Sequence, residues 1–162
     1  MFTLALVLES LVVQGQTNAK PKNGIFGSLY SEIADLNQFK GYTEQEGSLI
    51  EPTHPNYGLS RIAKGGYQII AFEKVVPHGN KPNFMLLDTI HIGRLKPHQG
   101  VILTECRLYR RSIIEIVALV KMDNAPYFKK VIKAWKANTK TNRFEQISTI
   151  GIDCLNEGYD LE

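Results

Sequence analysis

The sequence has none of the short motifs that mark the common enzyme classes. It contains no Gly-x-Ser-x-Gly segment, so the nucleophile turn of the α/β-hydrolases is missing. Its paired glycines, Gly65 and Gly66, precede a strand-like run and lack the Lys-Ser/Thr pair of a phosphate-binding loop. Metal ligands at the tight spacing of zinc sites are also missing. The sequence therefore predicts no cofactor and no metal, and it favours a non-enzymatic role over a catalytic one.

Cysteine is scarce, with Cys106 and Cys154 the two in the chain. Cys106 shares a strand face with Ile102 and Leu108, so we expect it to point inward. In an oxidising compartment the two cysteines could form a disulfide that ties the C-terminal tail to the sheet, worth roughly 3–4 kcal/mol in the chain-entropy model. The alternative is two unpaired, buried thiols that act as small hydrophobic side chains.

Excess charge is also small, with a formal net charge of +3 at pH 7. This mild balance favours anionic neighbours slightly and does not by itself indicate nucleic-acid binding. Hydrophobic residues make up 43% of the chain, which is ordinary for a globular protein and argues against disorder.

A short apolar segment, from Phe2 to Val13, opens the sequence and is too short to span a bilayer as a helix. Gly15 suits a signal-peptidase pocket, and a polar stretch follows. We expect residues 1–15 to be a signal peptide, residues 16–162 to form one globular domain, and the mature chain, without a transmembrane span, to reach the periplasm, the cell surface or the medium. The alternative, a buried first strand or helix of a cytosolic domain, is favoured by Glu9 and by the lack of early positive charge.

One helix is predicted early in the mature chain. Ser28 can cap it, with Leu29 as its first residue, and Leu29, Ile33 and Leu36 fall on one helical face before Gly41 ends the pattern. Residues 41–66 are rich in glycine and proline, so we expect a long covering or binding loop there.

From Tyr67 onward the patterning predicts strands. Four runs combine β-branched or aromatic residues with turn signals at their ends: 67–76, 83–92, 101–109 and 112–122. The last of these is apolar on both faces, as a central strand is.

Residues 126–137 fit both a helical and a strand spacing. We favour a short helical turn near Tyr127, followed by a hairpin of residues 131–138 with 143–149 in which Asn142 takes the left-handed conformation. The total is about six strands with one or two short helices. Because no βαβ unit repeats, the predicted class is α+β, mostly antiparallel β-sheet.

This C-terminal region resembles the end of small exported proteins of the Bacteroidota. The residues that carry the resemblance are Lys133 to Asn138, Thr141 to Glu145 and Gly151 to Tyr159. The resemblance implies export and assigns neither an activity nor a functional residue.

Basic residues concentrate between positions 121 and 143, where Asp123 is the one acid. The candidate binding residues there are Lys129, Lys130, Lys133, Trp135, Lys136, Lys140 and Arg143, and a second basic group comprises Arg107, Arg110 and Arg111. Such a surface could bind an anionic glycan, a lipid surface or nucleic acid. The alternative is a solvated strand face whose lysines protect a sheet edge, with Trp135 packed in the core.

The four histidines are scattered, and three of them lie in predicted turns: His54, His78 and His98. We expect surface histidines. An enzymatic alternative to a binding role is a hydrolase that uses His78 or His98 with Asp88.

The sequence thus predicts an exported, non-catalytic binding or accessory domain of the cell envelope. Its partner would be an envelope protein or an anionic polymer. We expect any ligand surface between residues 41–66 and the sheet, or across the basic hairpin.

Overall fold

The computed structural model describes residues 24–50, 56–79 and 81–159. The predicted signal peptide, residues 1–15, lies outside these residues, and so does His54. The described part contains thirteen strands, all in antiparallel pairs, and its only helices are two short 3₁₀ segments. A mostly antiparallel architecture is therefore confirmed, whereas the count of about six strands and the α-helical part of the α+β prediction are wrong.

Five strands form the first sheet, in the spatial order β1-β5-β4-β3-β2. They are β1 (Leu29–Tyr30), β2 (Thr43–Leu49), β3 (Tyr57–Lys64), β4 (Tyr67–Val76) and β5 (Asn83–Arg94). Strand β3 pairs with β4 along its whole length, from Tyr57 opposite Lys74 to Lys64 opposite Tyr67. The β4–β5 ladder shifts register beside Glu73, because Phe72 pairs with Asp88 and Glu73 pairs with Leu86.

Two four-stranded sheets complete the fold. The second sheet has the order β12-β11-β9-β6, and the third has the order β10-β13-β7-β8. Their strands are β6 (Gln99–Leu103), β7 (Cys106–Leu108), β8 (Arg111–Ser112), β9 (Ile116–Lys121), β10 (Tyr127–Phe128), β11 (Lys130–Asn138), β12 (Arg143–Ile147) and β13 (Ile152–Leu155).

The second sheet is buried on both faces at its central strand β9. One face packs on the first sheet, where Phe72 and Leu59 meet Val117. The other face packs on the third sheet, where Ala118 joins a cluster with Phe128. Strand alternation sends successive residues to opposite faces, so a strand with two buried faces must be apolar throughout. This explains the apolar run of β9, which is confirmed as a central strand. The predicted run 112–122 is nevertheless divided, because Ser112 belongs to β8 of the third sheet and β9 begins only at Ile116.

The outer face of the first sheet is covered by the N-terminal part of the described chain. Two 3₁₀ segments, Ile33–Asp35 and Asn37–Phe39, stand where the sequence predicted one α-helix. The buried apolar residues Ile33 and Phe39 lie six positions apart with Leu36 midway, a period of three that fits a 3₁₀ helix better than an α-helix. The residue expected to begin that helix, Leu29, instead pairs with Met85 as part of β1.

Residues 41–66 are not a loop in their described parts, because they supply β2 and β3. Two of the glycines that suggested a loop, Gly47 and Gly58, sit inside these strands, opposite Ser60 and Glu73. Glycine in a strand is tolerated where another group approaches closely. The short helical turn expected near Tyr127 is likewise wrong, since Tyr127–Phe128 forms β10 and pairs with β13.

The predicted hairpin of residues 131–138 with 143–149 is confirmed as β11 and β12. Asn142 has a φ of 54°, the left-handed conformation expected there. The run 101–109, expected to be one strand, is divided between β6 and β7. Thr104, with a φ of 61°, lies at the break where the chain passes from the second sheet to the third.

Candidate functional site

A pocket opens on the outer face of the first sheet, beside Ile33 of the first 3₁₀ segment, with a volume of about 230 Å³. Strands β2, β3 and β4 provide much of its wall, and β1 and β5 close one side. Its polar lining residues are Tyr30, Ser31, Glu44, Ser48, Ser60 and Glu73.

A buried carboxyl group, that of Glu73, lies in this pocket and is only 3% exposed. The Tyr30 hydroxyl donates a hydrogen bond of 2.6 Å to Glu73 Oε1. The Ser60 hydroxyl donates a second bond of 3.1 Å to Oε2. Each carboxylate oxygen retains a further lone pair that neither bond uses. The carboxyl group is therefore held in one orientation and can still accept hydrogen bonds from a ligand.

A second carboxylate, that of Glu44, lies near the first over Gly47. A β-carbon at position 47 would be 2.7 Å from Glu44 Oε1 and 4.0 Å from Ser60 Oγ. The missing side chain at Gly47 therefore leaves the space in which Glu44 folds back across β2. Two glutamates and the Ser60 hydroxyl thus come together at one place on the sheet.

Burial sets the protonation of this site. Desolvation raises the pKa of Glu73 to about 7, and the negative charge of Glu44 adds to the rise. The hydrogen bonds from Tyr30 and Ser60 lower the same pKa and offset part of the effect. Burial and the nearby Glu73 charge raise the pKa of Tyr30 above its ordinary value, so its phenol stays protonated. Near neutral pH, Glu73 is consequently divided between its acid and carboxylate forms.

The remaining wall of the pocket is apolar and includes Ile33, Leu49 and Phe84. No lysine, arginine or histidine is among the described residues that line it. The pocket therefore offers hydrogen-bond acceptors and negative charge beside an apolar surface. Within residues 24–50, 56–79 and 81–159, no group of three His, Cys, Asp or Glu side chains is arranged to hold a metal ion.

A wider cleft of about 500 Å³ lies between β2 and β3 of the first sheet and β6 of the second. Its basic group, Arg61, forms a salt bridge of 3.1 Å with Glu46. Burial raises the pKa of Glu46, Arg61 lowers it, and Glu157 raises it. The cation of this cleft is therefore already paired with an acid of the same cleft.

The basic residues of the 121–143 region do not form one surface. Lys129, Lys130, Lys140 and Arg143 are exposed, as expected, and so are Lys133 and Lys136. Lys133 pairs with Leu119 and Lys136 pairs with Ile116, which places the two lysines on opposite faces of β11. Lys136 also lies directly opposite Glu145 of β12. Trp135 packs partly buried against the core between the first two sheets, so it supports that core and is not a free stacking surface.

The residues of the histidine alternative are not joined by hydrogen bonds in the described structure. His78 and His98 are exposed. Asp88 instead uses both carboxylate oxygens on backbone N–H groups, those of Thr89 and Phe144, each at 2.9 Å. The Phe144 bond links the first sheet to the second, which gives Asp88 a structural role.

A disulfide joins Cys106 and Cys154, one of the two states that the sequence left open, and no free cysteine remains. The two cysteines face each other across β7 and β13, with a Cα–Cα distance of 4.0 Å. The neighbouring pair is hydrogen-bonded, because the Leu155 N–H donates to the Glu105 carbonyl. Hydrogen-bonded and non-hydrogen-bonded pairs alternate along an antiparallel ladder, so the two cysteines form a non-hydrogen-bonded pair, in which the Cα atoms lie closer together. The disulfide therefore ties the C-terminal tail to the third sheet.

Sequence reasoning did not single out the Glu73 pocket. The available signal was a carboxylate inside the apolar run of β4, which is Ile69-Ile70-Ala71-Phe72-Glu73. A charged residue is seldom fully buried unless it has partners. The sequence placed a possible ligand surface beside residues 41–66, and β2 and β3 from that range line both cavities.

Comparisons of this chain with protein-family models, with curated proteins and with solved structures find no match. Among the described residues, no helix is long and apolar enough to cross a membrane.

Proposed function

We propose that this protein is an exported, non-catalytic binding domain of the cell envelope, and that the Glu73 pocket receives a small ligand. The ligand carries a positively charged or hydrogen-bond-donating group next to a short apolar part. The observation that carries the proposal is a carboxyl group that is buried, oriented by Tyr30 and Ser60, and accompanied in the pocket by Glu44.

The ligand class follows from charge complementarity. A carboxylate gains little from burial by itself, because desolvation opposes its charged form. An ammonium group next to Glu73 would compensate that cost, and Leu49 and Phe84 would contact the apolar part of the ligand. The pocket volume of about 230 Å³ lies below the roughly 300–1,000 Å³ of sites for drug-sized ligands. The ligand is therefore smaller than a typical drug molecule, or it is one side chain of a partner.

Export is supported by the disulfide and by the apolar leader in the sequence. Disulfides persist in oxidising compartments and are rare in the cytosol. Cell fractionation combined with mass spectrometry of the native N-terminus tests this part of the proposal. A protein found in the cytosol with its first fifteen residues intact would contradict it.

Thermal unfolding in the presence of three matched probes tests the pocket. We expect n-butylammonium to raise the melting temperature, and n-butanol and butyrate to have a smaller effect, because only the first combines positive charge with the apolar chain. Glu73→Gln should abolish the n-butylammonium effect. Asp123→Asn, which removes an exposed carboxylate outside the pocket, should retain it. Equal effects of the three probes, or no effect of n-butylammonium, would exclude this ligand class.

Binding of an anionic polymer is a second candidate function. Among the described residues, the salt bridges involve Arg61 and Arg107, so the lysines of the 121–143 region are unpaired. Heparin affinity that falls steeply as salt rises, and that weakens in Lys129→Gln/Lys130→Gln, would support this candidate. Absence of heparin binding at low salt would exclude it.

A further inference from the structure

The turn between β7 and β8 exposes an aromatic and two cationic side chains. Tyr109 and Arg110 form a two-residue turn, since Leu108 pairs with Arg111 on either side of it. Tyr109 is 70% exposed, and Arg110 and Arg111 are exposed as well. Within the described chain, neither arginine forms a salt bridge.

The backbone of this turn is strained. Tyr109 has a φ of 49° and Arg110 a φ of 68°, the left-handed region that two-residue hairpins of type I′ require at both central positions. Asn-Gly is the favoured pair at such positions, because bulky side chains resist positive φ. A Tyr-Arg pair therefore costs folding free energy at this place, and strain of this kind is concentrated at functional sites.

The turn is also held rigidly. The Tyr109 N–H donates a hydrogen bond of 2.8 Å to the Gly151 carbonyl, and the Tyr109 ring lies against Gly151. Ile150, the residue before Gly151, is 74% exposed. The Cys106–Cys154 disulfide joins the two strands close by. An aromatic, an aliphatic and two cationic side chains are thus presented together by a cross-linked sheet.

We propose that this turn, which comprises Tyr109, Arg110 and Arg111 with Ile150 beside them, docks the protein onto an anionic phospholipid surface. The arginines attract the negative headgroups, and Ile150 enters the boundary between headgroups and acyl chains. Tyr109 suits the same boundary, because tyrosine has an apolar ring and a polar end. The proposal is independent of the Glu73 pocket, which lies on the outer face of the first sheet.

Cosedimentation of the protein with lipid vesicles tests the proposed docking of this turn. We expect binding to vesicles of phosphatidylglycerol and phosphatidylcholine at low salt, weaker binding as salt rises, and none to phosphatidylcholine alone. Arg110→Gln/Arg111→Gln should weaken binding about 30-fold. Lys74→Gln/Lys96→Gln, which removes the same charge from two other exposed positions, should retain the wild-type affinity.

A second variant separates function from stability. Tyr109→Asn/Arg110→Gly introduces the favoured turn pair, so it should raise the melting temperature and still weaken vesicle binding. A turn with only a structural role predicts the stability gain without the loss of binding. Unchanged binding in either turn variant, binding to heparin but not to anionic vesicles, or no vesicle binding at low salt would overturn the proposal.

Discussion

The hydroxyl of Tyr30 and the carboxyl of Glu73, 43 positions apart in the chain, are joined by a buried hydrogen bond of 2.6 Å. Tyr30 lies in β1 and Glu73 in β4, with β5 between their strands. The bond therefore spans three strands of the first sheet and fixes the carboxyl group in the pocket. Its strength depends on whether Glu73 is ionised, because hydrogen bonds to charged groups are the stronger ones.

Stability should fall as pH rises through the titration of Glu73. Its pKa is about 7 in the folded chain, against an ordinary value of 4.5. Between these two pH values the folded state binds more protons than the unfolded state. The stabilisation that protonated Glu73 gives the folded state is therefore complete below pH 4.5 and lost above about pH 7. At about 1.4 kcal/mol per pKa unit, the free energy of unfolding should decrease by about 3 kcal/mol.

Urea unfolding of the wild type and of Glu73→Gln across this range measures the effect. The amide of the variant cannot ionise, so a plot of its free energy of unfolding against pH should lack this contribution. The pKa of Glu46 is also raised, but its effect is common to both proteins, so the difference between the two plots reports on Glu73 alone. If the free energies of unfolding of the two proteins changed with pH in parallel, Glu73 would titrate near its ordinary pKa.

Tyr30→Phe should lower the free energy of unfolding by about 2 kcal/mol above pH 7, where the lost bond is to a carboxylate, and by about 1 kcal/mol near pH 5. It should also raise the pKa of Glu73, because the Tyr30 bond lowers it. Tyr57→Phe is the matched control, since its hydroxyl makes a longer bond of 3.3 Å to the Thr139 carbonyl. Equal decreases in the free energy of unfolding for both variants would show that the Tyr30–Glu73 hydrogen bond is no stronger than the Tyr57 bond.

Loss of the disulfide should cost about 4 kcal/mol of unfolding free energy in the chain-entropy model, given its sequence separation of 48. Reduced wild type and Cys106→Ala/Cys154→Ala should both show this loss in urea unfolding. The alanine variant should lose somewhat more, because both sulfur atoms are buried and their removal leaves space. A reductant without effect on unfolding would contradict the presence of the bond in solution.

Gly151→Ala should destabilise the protein more than Gly66→Ala. Both glycines have a positive φ, of 78° and 84°. Alanine at either position therefore incurs a backbone cost of about 1 kcal/mol. Only at position 151 would the new β-carbon also clash, at 2.7 Å from Cδ1 of Tyr109, whereas position 66 is open. Similar melting temperatures for the two variants would show that Tyr109 is not held against Gly151.

The local parts of the fold were predictable. The β11–β12 hairpin and the left-handed Asn142 follow from alternation and turn chemistry over fewer than twenty residues. The inward Cys106 and its pairing with Cys154 were among the alternatives that the sequence supported. The errors lie where strand partners are distant in the chain. Leu29 became a strand residue through its pairing with Met85, and two glycines taken as loop signals, Gly47 and Gly58, belong to β2 and β3.

The candidate site was less predictable than the fold. Tyr30, Ser60 and Glu73 come from three separate strands, and the register of β3 against β4 decides that Ser60 and Glu73 share a face. A shift of one residue would turn Glu73 toward the opposite side of the sheet.

The sequence by itself determined that this chain is a β-rich protein with two cysteines able to pair and with strands apolar enough to be buried on both faces, because these properties depend on residue type and short-range periodicity. Only the tertiary structure decided that a glutamate inside an apolar strand meets a tyrosine hydroxyl and a serine hydroxyl in a pocket. That meeting depends on non-local strand order and register, which the buried faces of three sheets select together.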